Sequence, residues 1–125
     1  MTTTQNLIWQ ATIRRIGAEA TDMFDAGVFI LFGEPVPEAL AEVSVVHDGS
    51  SAPARELRAG DSITLGSATV TVERVGERAT ANLTELGHVV VYVDAGDQDL
   101  LPGAVHASGA AWTPAVGDQI TVTGG

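Results

Sequence analysis

Three histidines, His47, His88 and His106, are the side chains of this chain best suited to proton or phosphoryl chemistry near neutral pH. A neutral imidazole can use one ring nitrogen as nucleophile while the other donates a hydrogen bond that fixes the tautomer. In-line phosphoryl transfer to such a ring needs little beyond positioning and nearby donors for the phosphoryl oxygens. For His47 those donors would be backbone amides of Asp48-Gly49 or Ser50-Ser51, or the guanidinium of Arg55 or Arg58. Metal chemistry fits poorly, because no His-x-His, His-x-x-x-His or His-Glu-x-x-His spacing occurs. No metal or cofactor is therefore expected, and three dispersed histidines meeting in space would be the only route to one. A serine hydrolase would want Gly-x-Ser-x-Gly and a nucleotide site a phosphate-cradling glycine loop, and neither is present. The sixteen acidic residues include no spacing that singles out a glycosidase pair.

Composition narrows the field further. With no cysteine, thiolate catalysis and Cys-based zinc are out. With no lysine, Schiff-base chemistry and a P-loop lysine go too. Net charge −10, from sixteen carboxylates against six arginines, makes nucleic acid and anionic membrane poor partners. A basic protein would be drawn toward such a surface, although simple solubility explains the same charge. Residues 1–125 fit a single domain. The start, Met1-Thr-Thr-Thr-Gln-Asn6, has no basic or apolar signal character, and no apolar run reaches the roughly 20 residues that cross a bilayer. A cytoplasmic protein without direct membrane insertion is expected.

The elements that would position the histidines are mostly strands. Val43-Ser44-Val45-Val46-His47 reads as a strand closed by an Asp48-Gly49 turn. Alternation sets Val43, Val45 and His47 on one face and leaves the ring at the strand's mouth, within reach of water and partners. Further strands are expected over 7–16, 28–32, 68–73, 88–94, 104–107 and 119–123, with a turn and a strand over 59–65 and a hairpin through Gly66-Ser67. Residues 34–40 read as a proline-bounded loop. One short helix is predicted around 77–86, with Ala79, Leu83 and Leu86 on one face and Gly87 as its stop. One or two helical turns are expected around 18–24. The fold class is mainly β, a single compact β-barrel.

Two stretches echo each other: Val46-His47-Asp48-Gly49 leading to Gly60-Asp61, and Val105-His106-Ala107 leading to Gly117-Asp118. The histidine-to-glycine spacing is thirteen residues in one and eleven in the other. An internal pseudo-twofold repeat follows if the halves superpose; otherwise a common turn has recurred by chance. On this reading His47 and His106 are equivalent, and residue chemistry alone does not choose between them.

The chain resembles the glucitol/sorbitol-specific enzyme IIA component of the bacterial phosphoenolpyruvate-dependent sugar phosphotransferase system (PTS). The resemblance runs through Thr12-Ile-Arg-Arg-Ile-Gly17, Val45-Val46-His47, Val75-Gly76, Ala81-Asn-Leu-Thr-Glu-Leu-Gly-His88 and Leu101-Pro-Gly-Ala-Val-His106. It implies that His47 accepts a phosphoryl group from the carrier protein HPr. It further implies transfer to the cysteine of the IIB domain, with the membrane IIC domain coupling this to hexitol uptake. His88 and His106 match family positions and become candidates for residues supporting the site. The resemblance also implies an apolar patch at the His47 mouth, rimmed by carboxylates such as Asp48 and Glu42. Some family members carry a second histidine shortly after the active one, where this chain has Asp48-Gly49. The competing reading is a non-catalytic regulatory or binding β-barrel that keeps the fold.

Overall fold

Branched and apolar residues in short runs, broken by Gly-Asp, Gly-Ser and Asp-Gly pairs, leave the chain few choices but a strand-rich closed fold. The computed structural model describes residues 7–49, 52–94, 96, 99–109 and 112–124. In chain order it has β1 (Leu7–Ile16), α1 (Ala20–Asp25), β2 (Val28–Gly33), α2 (Glu38–Ala41), β3 (Val45–His47) and β4 (Ser62–Leu65). There follow β5 (Ala68–Val75), α3 (Ala79–Leu86), β6 (Val89–Val93), β7 (Ala104–Gly109) and β8 (Gln119–Thr123). The strands close in the order β1-β3-β2-β6-β7-β5-β4-β8. Most pairs are antiparallel, but β2–β3 and β6–β7 are parallel.

The barrel interior holds Phe29, Leu31, Val45, Val91, Val105, Ile63 and Ile120, with Trp9 and Trp112 among the other core side chains. These positions alternate along their strands with outward residues, as pleating requires. β1 and β8 occupy the expected residues, and the β4–β5 hairpin turns at Gly66-Ser67, with Leu65 opposite Ala68.

The expected strand over 43–47 begins two residues late. Val43 and Ser44 are still finishing the turn of α2: their amides donate to the carbonyls of Leu40 and Ala41, and the Ser44 hydroxyl donates to Leu40 O at 2.6 Å. The expected loop over 34–40 thus contains a helical turn at its end. α3 starts at Ala79, and of its expected apolar face Ala79 and Leu83 are buried, whereas Leu86 is 51 % exposed.

The twofold repeat is real, but its register is not the one the histidines advertise. Val45 lies opposite Ile16 and Leu31; Val105 lies opposite Val75 and Val91. The halves also repeat their tertiary hydrogen bonds: Gly17 N–H to Ser44 O and Glu19 N–H to Glu42 O recur as Gly76 N–H to Ala104 O and Arg78 N–H to Pro102 O. Val45 therefore corresponds to Val105, which makes Ala107 the mate of His47 and Val46 the mate of His106. A shift of one residue moves a strand side chain to the other face. His47 continues the inward row of Val45, whereas His106 is on the outward row.

Candidate functional site

β3 is only three residues long, yet it is gripped on both sides. His47 lies opposite Ile13 of β1 and Gly33 of β2. A bulge in β1 between Ile13 and Arg15 adds twist at this end of the barrel. Asp48 then locks the strand exit, with its amide donating to Thr12 O at 3.1 Å and its carboxylate accepting from Thr12 N–H at 2.8 Å.

The His47 ring is fully buried, not exposed at a strand mouth as its sequence context implied. Strand alternation points it inward, against the edge of Trp9 with ring centroids 5.0 Å apart. Its two nitrogens meet opposite partners. The Gly87 carbonyl lies 2.7 Å from Nε2, and the Gly49 amide donates to Nδ1 at 3.0 Å. A carbonyl can only accept and an amide can only donate, so the network assigns the proton to Nε2 and the lone pair to Nδ1. Burial disfavours the imidazolium and pushes the His47 pKa below its usual value. This outweighs the opposing pull of the Gly87 carbonyl and of the Asp48 and Glu34 carboxylates. The ring is neutral and held in one orientation, with its Nδ1 lone pair on the Gly49 amide.

Gly87 can present that carbonyl because it ends α3 in the left-handed region, with φ +65°. Above the ring lies a groove of about 320 Å³ lined by Gly33, Glu34, Pro35, Gly49, Leu86 and Gly87, among others. Glu34, Glu85 and Asp48 are the exposed carboxylates around this end, and Leu86 and Pro35 its exposed apolar groups. Glu42, expected on this rim, is at the other end of β3, 4.0 Å from Arg15.

The other residues singled out from the sequence go elsewhere. His88 stacks on Phe32, centroids 4.6 Å apart, and its burial lowers its pKa. His106 is 3 % exposed, edge-on to Tyr92, and its Nε2 has no hydrogen-bond partner. Among the described residues, neither ring makes a hydrogen bond or ring contact with His47. Arg55 is bound to the buried Asp61 through both terminal nitrogens, at 2.7 and 3.1 Å. Arg15 pairs with Glu38 at 3.4 Å. Ser50 and Ser51 lie outside the described residues. No group of described side chains is arranged to hold a metal ion. Sequence reading missed Gly87 and Gly33 as parts of the site; the stop glycine after 77–86 was its only visible signal.

A closed eight-stranded barrel with one neutral, hydrogen-bonded histidine beneath an acidic-rimmed groove has the architecture of a phosphotransferase-system IIA component. The crystal structure of the PTS system IIA component from Enterococcus faecalis V583 matches it with TM-score 0.77 and 26 % identity, covering 89 % of this chain and 96 % of that one. Residues 8–121 match the model of the PTS system glucitol/sorbitol-specific IIA component. Relatives described as PTS system glucitol/sorbitol-specific EIIA components share 38 % identity in Shigella flexneri and 37 % in Escherichia coli K12. Each match spans 103 residues, 82 % of this chain and 83 % of the relative. The chain belongs to the glucitol/sorbitol-specific IIA family of the PTS. No described helix is long and apolar enough to cross a membrane.

Proposed function

We propose that this chain is the phosphocarrier of a glucitol/sorbitol-type PTS, and that His47 is the residue that carries the phosphoryl group. The observation that supports this most is the pair of hydrogen bonds on His47, which leaves a neutral ring with a fixed tautomer. Once the Gly49 amide withdraws from Nδ1, the ring lone pair attacks the phosphorus of phosphohistidine on HPr; a new P–N bond forms as the old one breaks, and the donor imidazole leaves with the bonding pair. The Gly87 carbonyl stabilises the positive charge that develops on the His47 ring. The thiolate of the IIB cysteine then attacks the same phosphorus and restores neutral His47. The sugar is phosphorylated beyond this point, at the IIB and IIC components, and the relay works on the cytoplasmic side.

The acidic groove suits both partners, since each must approach the same histidine and then leave. Glu34 and Glu85 attract a cationic surface, and Leu86 and Pro35 offer a small apolar contact. Neither partner needs a large interface, because a relay requires weak, short-lived contacts. Incubation with phosphoenolpyruvate, enzyme I and HPr should give an acid-labile, alkali-stable adduct that is discharged when the IIB domain is added. An adduct that forms but never passes to IIB, or no adduct at all, contradicts the relay and favours a binding or regulatory barrel.

A further inference from the structure

The pseudo-twofold repeat supplies an internal comparison for the site. A residue in β2 or after α1 has its mate 60 positions later, as Phe29–Val91 and Leu31–Val89 cross the twofold axis between β2 and β6. Under that relation the His47 groove has a counterpart of about 250 Å³ at the opposite end of the barrel, lined by Asp25, Gly27, Val93 and Asp94 among others. Gly27 answers to Gly87, with φ +78° against +65°. Glu34 answers to Asp94, and Glu85, two residues before Gly87, to Asp25, two residues before Gly27. Glu34 N–H donates to His47 O at 2.9 Å, and Asp94 N–H donates to Ala107 O at 2.8 Å. The scaffold has been built twice; the chemistry has been placed once.

Two differences accompany the change from Ala107 to His47. In the counterpart, the helix-ending carbonyl of Gly27 accepts the Val93 amide at 2.8 Å, whereas the Gly87 carbonyl accepts from the His47 ring. The residue beside the histidine is Gly33, and its mate is Val93. Its φ does not call for glycine, since it is not in the left-handed region; what calls for it is the close approach of the Leu86-Gly87 backbone. At the mate position in the other half, the same strand end carries the branched side chain of Val93. A Cβ built on Gly33 would enter the groove, 3.1 Å from the Leu86 carbonyl oxygen, 3.3 Å from Gly87 Cα and 3.4 Å from the Gly49 carbonyl oxygen. It would stand between the two segments, Gly49 and Leu86-Gly87, that cover the ring.

We propose that Gly33 is the access-determining residue of this site: its missing side chain keeps clear the groove from which a phosphoryl group reaches His47 when the Gly49 amide gives up Nδ1. The inference rests on the reading of His47 as phosphoryl carrier. It adds that the counterpart end of the barrel is closed to the same chemistry twice over, by Ala107 and by Val93.

The test uses the full chain with Gly33→Val, Gly33→Ala and Val93→Gly, each followed by thermal unfolding. His47 is probed with a small electrophile, diethylpyrocarbonate, and separately with phospho-HPr, and modification is located by mass spectrometry. Gly33→Val should slow both reactions at His47 by about tenfold or more, and Gly33→Ala by a smaller factor, measured below the onset of unfolding of each variant because the added Cβ also presses on the Leu86 carbonyl oxygen and Gly87 Cα. Val93→Gly should leave both rates unchanged. Wild-type rates in Gly33→Ala and Gly33→Val overturn the inference; if Gly33→Val does not fold, an unaltered rate in Gly33→Ala alone does so. A fall in diethylpyrocarbonate reactivity in a chain that phospho-HPr never labels would support the access role while overturning the carrier reading.

Discussion

At the scale of the residue, burial and hydrogen bonding pull the protonation of His47 in different directions. Burial removes the proton that would block the lone pair; the Gly87 carbonyl holds the remaining proton on Nε2. Nitrogen-15 spectra at neutral pH should show His47 as the neutral tautomer protonated at Nε2. A ring protonated at both nitrogens at pH 7 would contradict this. The same shift has a sign for stability. Its folded pKa is below the unfolded value near 6.5, so the unfolded chain binds more protons as pH falls. Stability is full above that value and is lost as pH falls through it toward the folded pKa, by no more than about 1.4 kcal/mol per pH unit for one histidine. His88 shifts in the same direction and adds to the effect. Urea unfolding from pH 7.5 to 5 should show this loss, with a shallower slope in His47→Gln; an unchanged slope would mean that His47 titrates alike in both states.

At the scale of the element, the decisive piece is the last turn of α3. Gly87 needs its positive φ, and a Cβ there would lie 2.8 Å from Gly33 N, Gly33 Cα and His47 Cε1. Gly117 has φ +97° with nothing near its absent side chain, so it serves as the control. Gly117→Ala should cost about 1–2 kcal/mol from backbone strain alone, and Gly87→Ala more, with His47 displaced. Equal losses in chemical denaturation would show that the close packing at Gly87 is unimportant. Much of this level was legible in the sequence. β1, the β4–β5 hairpin, β8 and the glycine after α3 follow from alternation and turn chemistry, which are local. The start of β3 was not, because the amides of Val43 and Ser44 are captured by α2, a contact that strand pattern cannot report. Nor was the exposure of Leu86, which is set by the groove it borders rather than by helical spacing.

At the scale of the whole molecule, a duplicated barrel half carries one site. The repeat was visible in the two Gly-Asp turns, but aligning the histidines placed it one residue out of register. Only strand pairing reveals that His47 corresponds to Ala107 and faces inward, while His106 corresponds to Val46 and faces outward. The buried state of His47 was likewise hidden, because the Gly87 carbonyl that meets Nε2 comes from 40 residues away, and only Gly49, two residues on, is local. Net charge −10 was legible at once, but not that the fold gathers Glu34 and Glu85 around the groove.

The measurement that bears most directly on this account is site mapping of the phosphoryl group after charging the chain with phosphoenolpyruvate, enzyme I and HPr, under alkaline conditions that preserve the adduct. The expected result is one phosphoryl group, on His47, with labelling kept in His88→Gln and His106→Gln and abolished in His47→Gln. Phosphate on His106 or His88, or undiminished labelling of His47→Gln, would contradict it.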